Sequence, residues 1–116
     1  MTALISEVDV PALPLSRLLP VIGSDRLASL EEQAARMMTL LGERTIWNVN
    51  STATGGGVAE MLPVLVGYAK GAALDVRWAV MSGDPAFFTI TKRIHNRIHG
   101  VPGDEGALGE GEAAHY

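Results

Sequence analysis

The residues best placed to do chemistry form a glycine-rich segment between a predicted strand and a predicted helix. The segment reads Asn50-Ser51-Thr52-Ala53-Thr54-Gly55-Gly56-Gly57-Val58-Ala59-Glu60. Glycines at such a junction let the backbone approach a phosphate or a sugar, and a helix N-terminus adds free N–H groups and a partial positive charge. Polar residues such as Ser51, Thr52 and Glu60 surround the glycines, so a ligand-binding loop and a simple tight turn both stay open.

Two phosphate-binding fingerprints are excluded by the residues that follow these glycines. The dinucleotide fingerprint requires a third glycine at the position that Glu60 occupies. A Walker A motif requires Lys followed by Ser or Thr, and no such pair follows Gly57. Glu60 itself has two open roles, which are binding the hydroxyls of a sugar and capping the first-turn N–H groups of the helix.

A second group of chemically capable residues lies on the last predicted helix. His95 and His99 are four residues apart and share a face, a spacing that can hold a metal ion. No zincin glutamate and no third ligand accompany them, so we predict no metal site. Lys92, Arg93 and Arg97 add a basic cluster, for which a solvated helix face is the simpler interpretation and an anion-facing surface the alternative.

Five elements position these residues, in the order helix, strand, helix, strand, helix. They are predicted at about 30–41, 44–50, 58–71, 75–81 and 85–100. A capping box at Ser29 predicts that the first helix begins at residue 30, and a beginning near Ser24 is the alternative. Asp84 is expected to cap the last helix. Trp47 and Trp78 fall in the strands, where we expect them to pack in the core or on the sheet.

Strands that alternate with helices indicate right-handed crossovers and a parallel sheet. The predicted fold class is α/β, an incomplete Rossmann-like unit preceded by an extended N-terminal arm. Two parallel strands are too few for a covered sheet, so we expect a fragment, or a half that completes itself with another chain.

The two ends differ from the central region, 23–100, in composition. Residues 1–22 are apolar and contain Pro11, Pro14 and Pro20, which predicts an extended arm with short turns that must pack on something. Residues 101–116 are rich in glycine and acidic residues and contain no Lys or Arg, which predicts a loop or a disordered end.

Composition excludes several classes of function. The chain has 116 residues, 47% of them hydrophobic, which suits one domain. It has no cysteine, so disulfides and thiolate metal sites are excluded. The net charge of −4 gives no basic field for nucleic acid. Apolar stretches are too short and interrupted for a membrane span, and the N-terminus lacks a signal-peptide pattern, so we expect a cytoplasmic location.

Several motifs, from about Gly23 to Gly100, resemble the start of the trehalose synthases of the glycosyl-transferring type, in family 4 of the glycosyltransferases. The motifs are Val49-Asn50-Ser51-Thr52, Gly55-Gly56-Gly57-Val58-Ala59-Glu60, Val76-Arg77-Trp78, Gly83-Asp84-Pro85-Ala86-Phe87-Phe88, Thr91-Lys92-Arg93-Ile94-His95-Asn96 and His99-Gly100. Their shared order and spacing make the resemblance specific at the level of the family.

The resemblance implies a GT-B fold, in which two Rossmann-like domains enclose the active site. Members transfer glucose from a nucleoside-diphosphate (NDP) glucose to glucose with retention, giving trehalose, and trehalose phosphorylases are related to them. The N-terminal domain mainly shapes the acceptor side, and its glycine-rich loop faces the sugar and diphosphate of the donor. The implied substrate-binding residues are Ser51, Thr52, Gly55, Gly56, Gly57, Glu60, Lys92, His95 and Asn96. No cofactor is implied, and no catalytic residue is assigned.

The sequence departs from the family in two ways. It ends before the C-terminal domain that holds most nucleotide contacts, so we expect the isolated chain to be inactive and to need that half, or a second copy of itself, as partner. Pro63 is expected to shorten or kink the helix after the glycines.

The alternative function is a non-catalytic module that self-associates or binds a sugar or phosphate. A dinucleotide-binding fragment is disfavoured because Met81 stands where an acid would close the second strand.

Overall fold

The chain forms two units that are described separately. The computed structural model describes residues 4–116, and contacts divide the chain into Met1–Met81, described from residue 4, and Ser82–Tyr116. The first unit contains the sheet and the glycine-rich loop, and the second contains the last two helices. The predicted site residues are therefore divided between the two units.

A mixed three-stranded sheet forms the centre of the first unit. β2 (Ile46–Asn50) and β3 (Val76–Met81) pair in parallel, as the alternation of strands and helices predicts. β1 (Ile5–Val8) pairs antiparallel with β3, so the strand order is β1-β3-β2. The chain is therefore an α/β protein with a small open sheet, consistent with part of a Rossmann-like unit, and the sheet is mixed rather than purely parallel.

The N-terminal segment contains an extended strand and short helical turns. Besides β1, it forms a 3-10 turn at Leu15–Leu18 and the short helix α1 (Leu19–Ile22), whereas residues 1–3 of the predicted arm lie outside the described residues. Proline did not prevent these helical turns, because Pro14 precedes the first and Pro20 lies in the opening turn of α1. A missing N–H costs little at those positions.

Helix α2 (Ser24–Leu41) begins at the earlier of the two predicted positions. Ser29 therefore lies inside the helix instead of capping it, and Glu32 pairs with Arg36 at 2.6 Å rather than closing a capping box. Gly42, with φ of +58°, ends the helix as predicted.

Helix α3 (Gly57–Gly71) packs on one face of the sheet and builds the core. It begins and ends where the glycines predict, and it continues through Pro63. Trp78, 2% exposed, and Val66 lie at the centre of this core. The buried cluster contains Val10, Ala59, Leu62, Val66, Val76 and Trp78. Burial of each large apolar side chain stabilises the fold by about 1.5–3 kcal/mol.

The N-terminal segment crosses α3 where that helix has glycines. The amide of Leu13 donates to the carbonyl of Gly67 at 2.9 Å, and a Cβ on Gly71 would overlap the Leu13 carbonyl. The Lys70 ammonium donates to the Val10 carbonyl at 2.9 Å. These contacts fix the segment against α3, and they explain why the helix needs small residues at this crossing.

The second unit consists of α4 (Pro85–Ile98), a connecting loop and α5 (Glu110–His115). Asp84 caps α4 as predicted, because its carboxylate accepts from the Phe87 amide at 2.7 Å. Where the sequence predicts only a loop or disordered end, residues 110–115 form α5. Tyr116 stacks on Phe87 with ring centroids 5.5 Å apart, an aromatic contact that the acidic composition of this segment does not indicate.

Candidate functional site

The glycine-rich loop is an open stretch of backbone between the end of β2 and the start of α3. Gly55 and Gly56 have φ values of +75° and +83°, a conformation that favours glycine. A Cβ on Gly55, Gly56 or Gly57 would meet no heavy atom within 4 Å. The loop therefore needs glycine for its conformation, and it leaves open space in which a ligand could approach the backbone.

Some side chains around the loop hold its conformation, and others face solvent. Thr52 Oγ1 accepts from the Thr54 amide at 3.1 Å, so this hydroxyl closes a local turn. Asn50, just before the loop, accepts from the Trp78 indole at 2.8 Å and ties the loop to the core. Ser51 and Glu60 are exposed.

The N-terminus of α3 offers backbone donors. Gly56 occupies the N-cap position, and no side chain caps this end of the helix in the part of the chain that the structure describes. The Glu60 amide bonds to the Gly56 carbonyl at 3.1 Å, which leaves Glu60 one position beyond the first three N–H groups. Within residues 4–116 the Glu60 carboxylate makes no capping hydrogen bond at this helix start, and its binding of sugar hydroxyls stays a prediction.

The predicted residues of α4 do not form one group. The rings of His95 and His99 stack with centroids 4.2 Å apart, and His99 Nδ1 lies 2.8 Å from the His95 carbonyl oxygen. Lys92 and Asn96 instead line a cleft that His95 does not reach. Within residues 4–116 no three His, Cys, Asp or Glu side chains are grouped so that they could hold a metal ion.

The cleft beside Lys92 and Asn96 has a volume of about 380 Å³. Its walls are α4 and the loop that follows α4. The lining residues are Pro85, Phe88, Thr89, Lys92, Arg93, Asn96 and Asp104. Sequence reasoning missed Phe88 and Asp104 as site residues, because only the folding of the loop brings Asp104 to the helix.

Arg93 fixes the loop that forms one wall of this cleft. Its Nε lies 2.9 Å from both carboxylate oxygens of Asp104, and its Nη1 donates to the Ala107 carbonyl at 3.1 Å. The Gly106 amide also donates to Asp104 at 3.0 Å. The Gly106 amide, and then the Arg93 guanidinium, hold the pKa of Asp104 below its usual range, so this carboxylate is ionised at neutral pH.

Two further features lie outside these sites. Trp47 is 49% exposed on the sheet, with the Arg77 guanidinium 5.5 Å from its ring centroid, so it is a surface residue rather than a core residue. A larger cavity of about 460 Å³, lined by the N-terminal segment, α2 and the end of α3 with the residues that follow it, contains no predicted site residue. Across residues 4–116, none of the helices has the length and apolar character that crossing a bilayer demands.

Comparison with known proteins identifies the family. The sequence profile of a family described as "Trehalose synthase, N-terminal domain" matches residues 48–116, which is more than half of the chain. A trehalose synthase of Rubrobacter xylanophilus is 44% identical over 81 residues, and those of Pyrococcus horikoshii and Thermococcus litoralis are each 38% identical over 80 residues. The alignments cover 69–70% of this chain but only 18% of each relative. With the glycine loop and α4 both inside the matched residues, the chain belongs to the trehalose synthase N-terminal domain family.

Proposed function

We propose that this chain contributes to a retaining glucosyl transfer, in which glucose passes from an NDP-glucose to glucose and forms trehalose. The relatives that it matches carry the name trehalose synthase. Because the chain aligns with 18% of their length, the proposal assigns it one part of the reaction. That part is to present the glycine loop to the sugar and diphosphate of the donor, within the N-terminal domain of a GT-B enzyme.

The open backbone of Gly55–Gly57 carries this proposal. The loop follows the carboxyl end of a parallel strand, where open α/β sheets bind their ligands. Two of its glycines have positive φ, and none has a neighbour within 4 Å of its Cβ position. The three glycines therefore place no side chain of their own between a phosphate oxygen and the N–H groups at the start of α3.

The chemistry of the transfer explains why a loop of this kind helps. When the bond between the sugar carbon and the phosphate oxygen breaks, the departing diphosphate gains negative charge. Backbone N–H groups that point at this charge stabilise it more than they stabilise the intact donor, which lowers the barrier. Glu60 has the wrong sign to stabilise a diphosphate, so we assign its carboxylate to the hydroxyls of the sugar.

The chain by itself is expected to bind a donor weakly and to form no trehalose, because the loop supplies only neutral donors to a multiply charged leaving group. Binding is measured by titrating ¹⁵N-labelled chain with UDP-glucose and ADP-glucose while trehalose is assayed in the same samples. We expect amide shifts at residues 51–60 and no product. Supplying the remaining part of the Rubrobacter relative as a second chain should then yield trehalose. A donor that leaves residues 51–60 unshifted contradicts the proposal.

A second candidate function, self-association, is favoured by exposed apolar side chains on the edge strand β2. Trp47 and Val49 are 49% and 55% exposed, and β2 is an edge strand of the sheet formed by residues 4–81. Edge strands with apolar faces pair readily with another copy. Sedimentation velocity distinguishes the candidates: a dimer that Trp47→Arg converts to monomer supports self-association, and a monomer at all concentrations rejects it.

A further inference from the structure

We propose that Asn50 binds a phosphate oxygen of the donor through its amide nitrogen, and that the Trp78 indole fixes the Asn50 side chain in that orientation. The inference rests on the proposed function, because it adds a binding residue and a positioning residue to the glycine loop. Asn50 is the last residue of β2 and stands directly before this loop. Neither Asn50 nor Trp78 is among the substrate-binding residues that the sequence predicts.

The Trp78 indole determines which end of the Asn50 amide remains for a ligand. Trp78 Nε1 donates to Asn50 Oδ1 at 2.8 Å, and Trp78 is buried in the core. An indole N–H can only donate, so the amide oxygen must face the indole and the amide nitrogen must take the other position. The opposite orientation would leave the indole N–H facing an amide N–H without an acceptor, which is costly in a core. The pair therefore fixes an orientation that an isolated asparagine leaves open.

The Asn50 amide nitrogen is available to a ligand. Asn48, two residues earlier on the same strand, uses its own amide nitrogen to donate to the Arg77 carbonyl at 3.2 Å. Asn50 Nδ2 forms no such bond with any of residues 4–116. Among those residues every buried side-chain nitrogen and oxygen has a hydrogen-bond partner, so the unpaired Asn50 Nδ2 is accessible to solvent. Asn50 thus offers a donor beside the loop while its oxygen is held by the core.

The groups on either side of the glycine loop favour a phosphate oxygen over a sugar hydroxyl. A phosphate oxygen only accepts hydrogen bonds, whereas a hydroxyl also has a proton to donate. Asn50 Nδ2 lies before the loop, and after it the start of α3 carries N–H groups that no side chain caps in the described part of the chain. Both offer donors only, and a hydrogen bond to an anion is roughly twice as strong as one to a neutral acceptor. We therefore assign Asn50 to the diphosphate and leave the sugar hydroxyls to Glu60.

The test is a titration of the ¹⁵N-labelled 116-residue chain with UDP, followed at the side-chain amides of the asparagines. We expect the Asn50 Nδ2 resonances to shift together with the backbone amides of residues 51–60. Those of Asn48 should stay in place, because that nitrogen is bonded to the Arg77 carbonyl. Asn50→Ala should raise the dissociation constant for UDP about tenfold, since it removes a hydrogen bond to a charged group. Asn48→Ala is the matched control and should bind UDP as the unchanged chain does.

A tryptophan substitution tests the positioning role. Trp78→Phe keeps an aromatic ring in the core but removes the N–H, so either end of the Asn50 amide can then face the ligand. With about half of the molecules in the binding orientation, the dissociation constant for UDP should rise about twofold. In an Asn50→Ala background the same substitution should change binding no further, whereas a merely structural role predicts an equal loss in both backgrounds. Trp47→Phe, on an exposed tryptophan of β2, is the control and should leave binding unchanged.

Each contrary outcome is decisive. Unchanged UDP binding by a folded Asn50→Ala variant overturns the proposal. If that variant does not fold, the unchanged chain decides: shifts at residues 51–60 without a shift of Asn50 Nδ2 overturn the inference and leave the proposed function standing. Neither UDP nor UDP-glucose shifting residues 51–60 rejects both. A shift of Asn50 Nδ2 with D-glucose but not with UDP overturns the assignment of Asn50 to the phosphate.

Discussion

Replacing Gly56 by alanine perturbs the backbone of the glycine loop without a steric clash, because a Cβ there meets no heavy atom within 4 Å. Its φ of +83° and ψ of 154° lie in a region that is essentially restricted to glycine, and forcing another residue into it costs about 1–3 kcal/mol. Alanine restricts the unfolded chain, which offsets about 0.4–1 kcal/mol of this cost. For Gly56→Ala we therefore expect a net loss in the free energy of unfolding of about 1–2 kcal/mol.

Gly23 provides a closely matched control at the N-cap of another helix. Its φ of 80° and ψ of 166° nearly equal those of Gly56, and a Cβ there also meets nothing within 4 Å. Gly23→Ala should destabilise the chain by a similar amount. Because Gly23 lies outside the glycine loop, this variant should retain the amide shifts that UDP-glucose causes, whereas Gly56→Ala should lose most of them.

The two variants are compared by urea unfolding followed by tryptophan fluorescence, and by the donor titration under conditions where both are folded. Equal stability of Gly56→Ala and the unchanged chain would refute the conformational argument. Equal loss of donor binding in both variants would show that general destabilisation, rather than the geometry of the loop, controls binding. Full donor binding by a folded Gly56→Ala variant would refute the role of the loop itself.

Three further predictions concern packing and titration. Gly71→Ala should destabilise the chain more than Gly56→Ala in urea unfolding, because its methyl group would overlap the Leu13 carbonyl and displace the N-terminal segment. Leu62→Ala should cost about 2–5 kcal/mol in the same assay, since the Leu62 side chain of α3 is buried in the core. The His115 imidazole, and then the Phe87 amide, lower the pKa of Asp84 in the folded chain. The ionised Asp84 carboxylate therefore stabilises the fold fully above the ordinary aspartate pKa, and this stabilisation is lost as the pH falls through the lower pKa of the folded chain. Asp84→Asn keeps a capping oxygen but does not titrate, so α4 helicity followed by far-UV circular dichroism should decrease less below about pH 4 than in the unchanged chain.

Local signals predicted the elements that depend on neighbouring residues. The β-branched and aromatic runs located β2 and β3, the glycines located both ends of α3, and Asp84 with Pro85 located the start of α4. These signals act within one or two turns of chain, so a single sequence suffices to detect them.

Features that depend on distant contacts were not predictable in the same way. The pairing of β1 with β3 joins Ile5 to Met81, and nothing near Ile5 indicates that partner. The Asp104 wall of the cleft likewise depends on Arg93, eleven residues earlier. Composition indicated an acidic, glycine-rich segment after Gly100 but not that this arginine would order it.

The position of β3 in the sheet has a consequence for how the protein is made. β3 is the central strand, yet it is synthesised after both strands that pair with it. At 5–20 residues per second, Ile5 waits roughly 4–15 s before Met81 is added. During this interval β1 lacks its hydrogen-bonding partner, and β2 lacks the same partner from the time it is made. A chaperone that binds extended apolar segments would therefore compete with folding until the ribosome has passed residue 81.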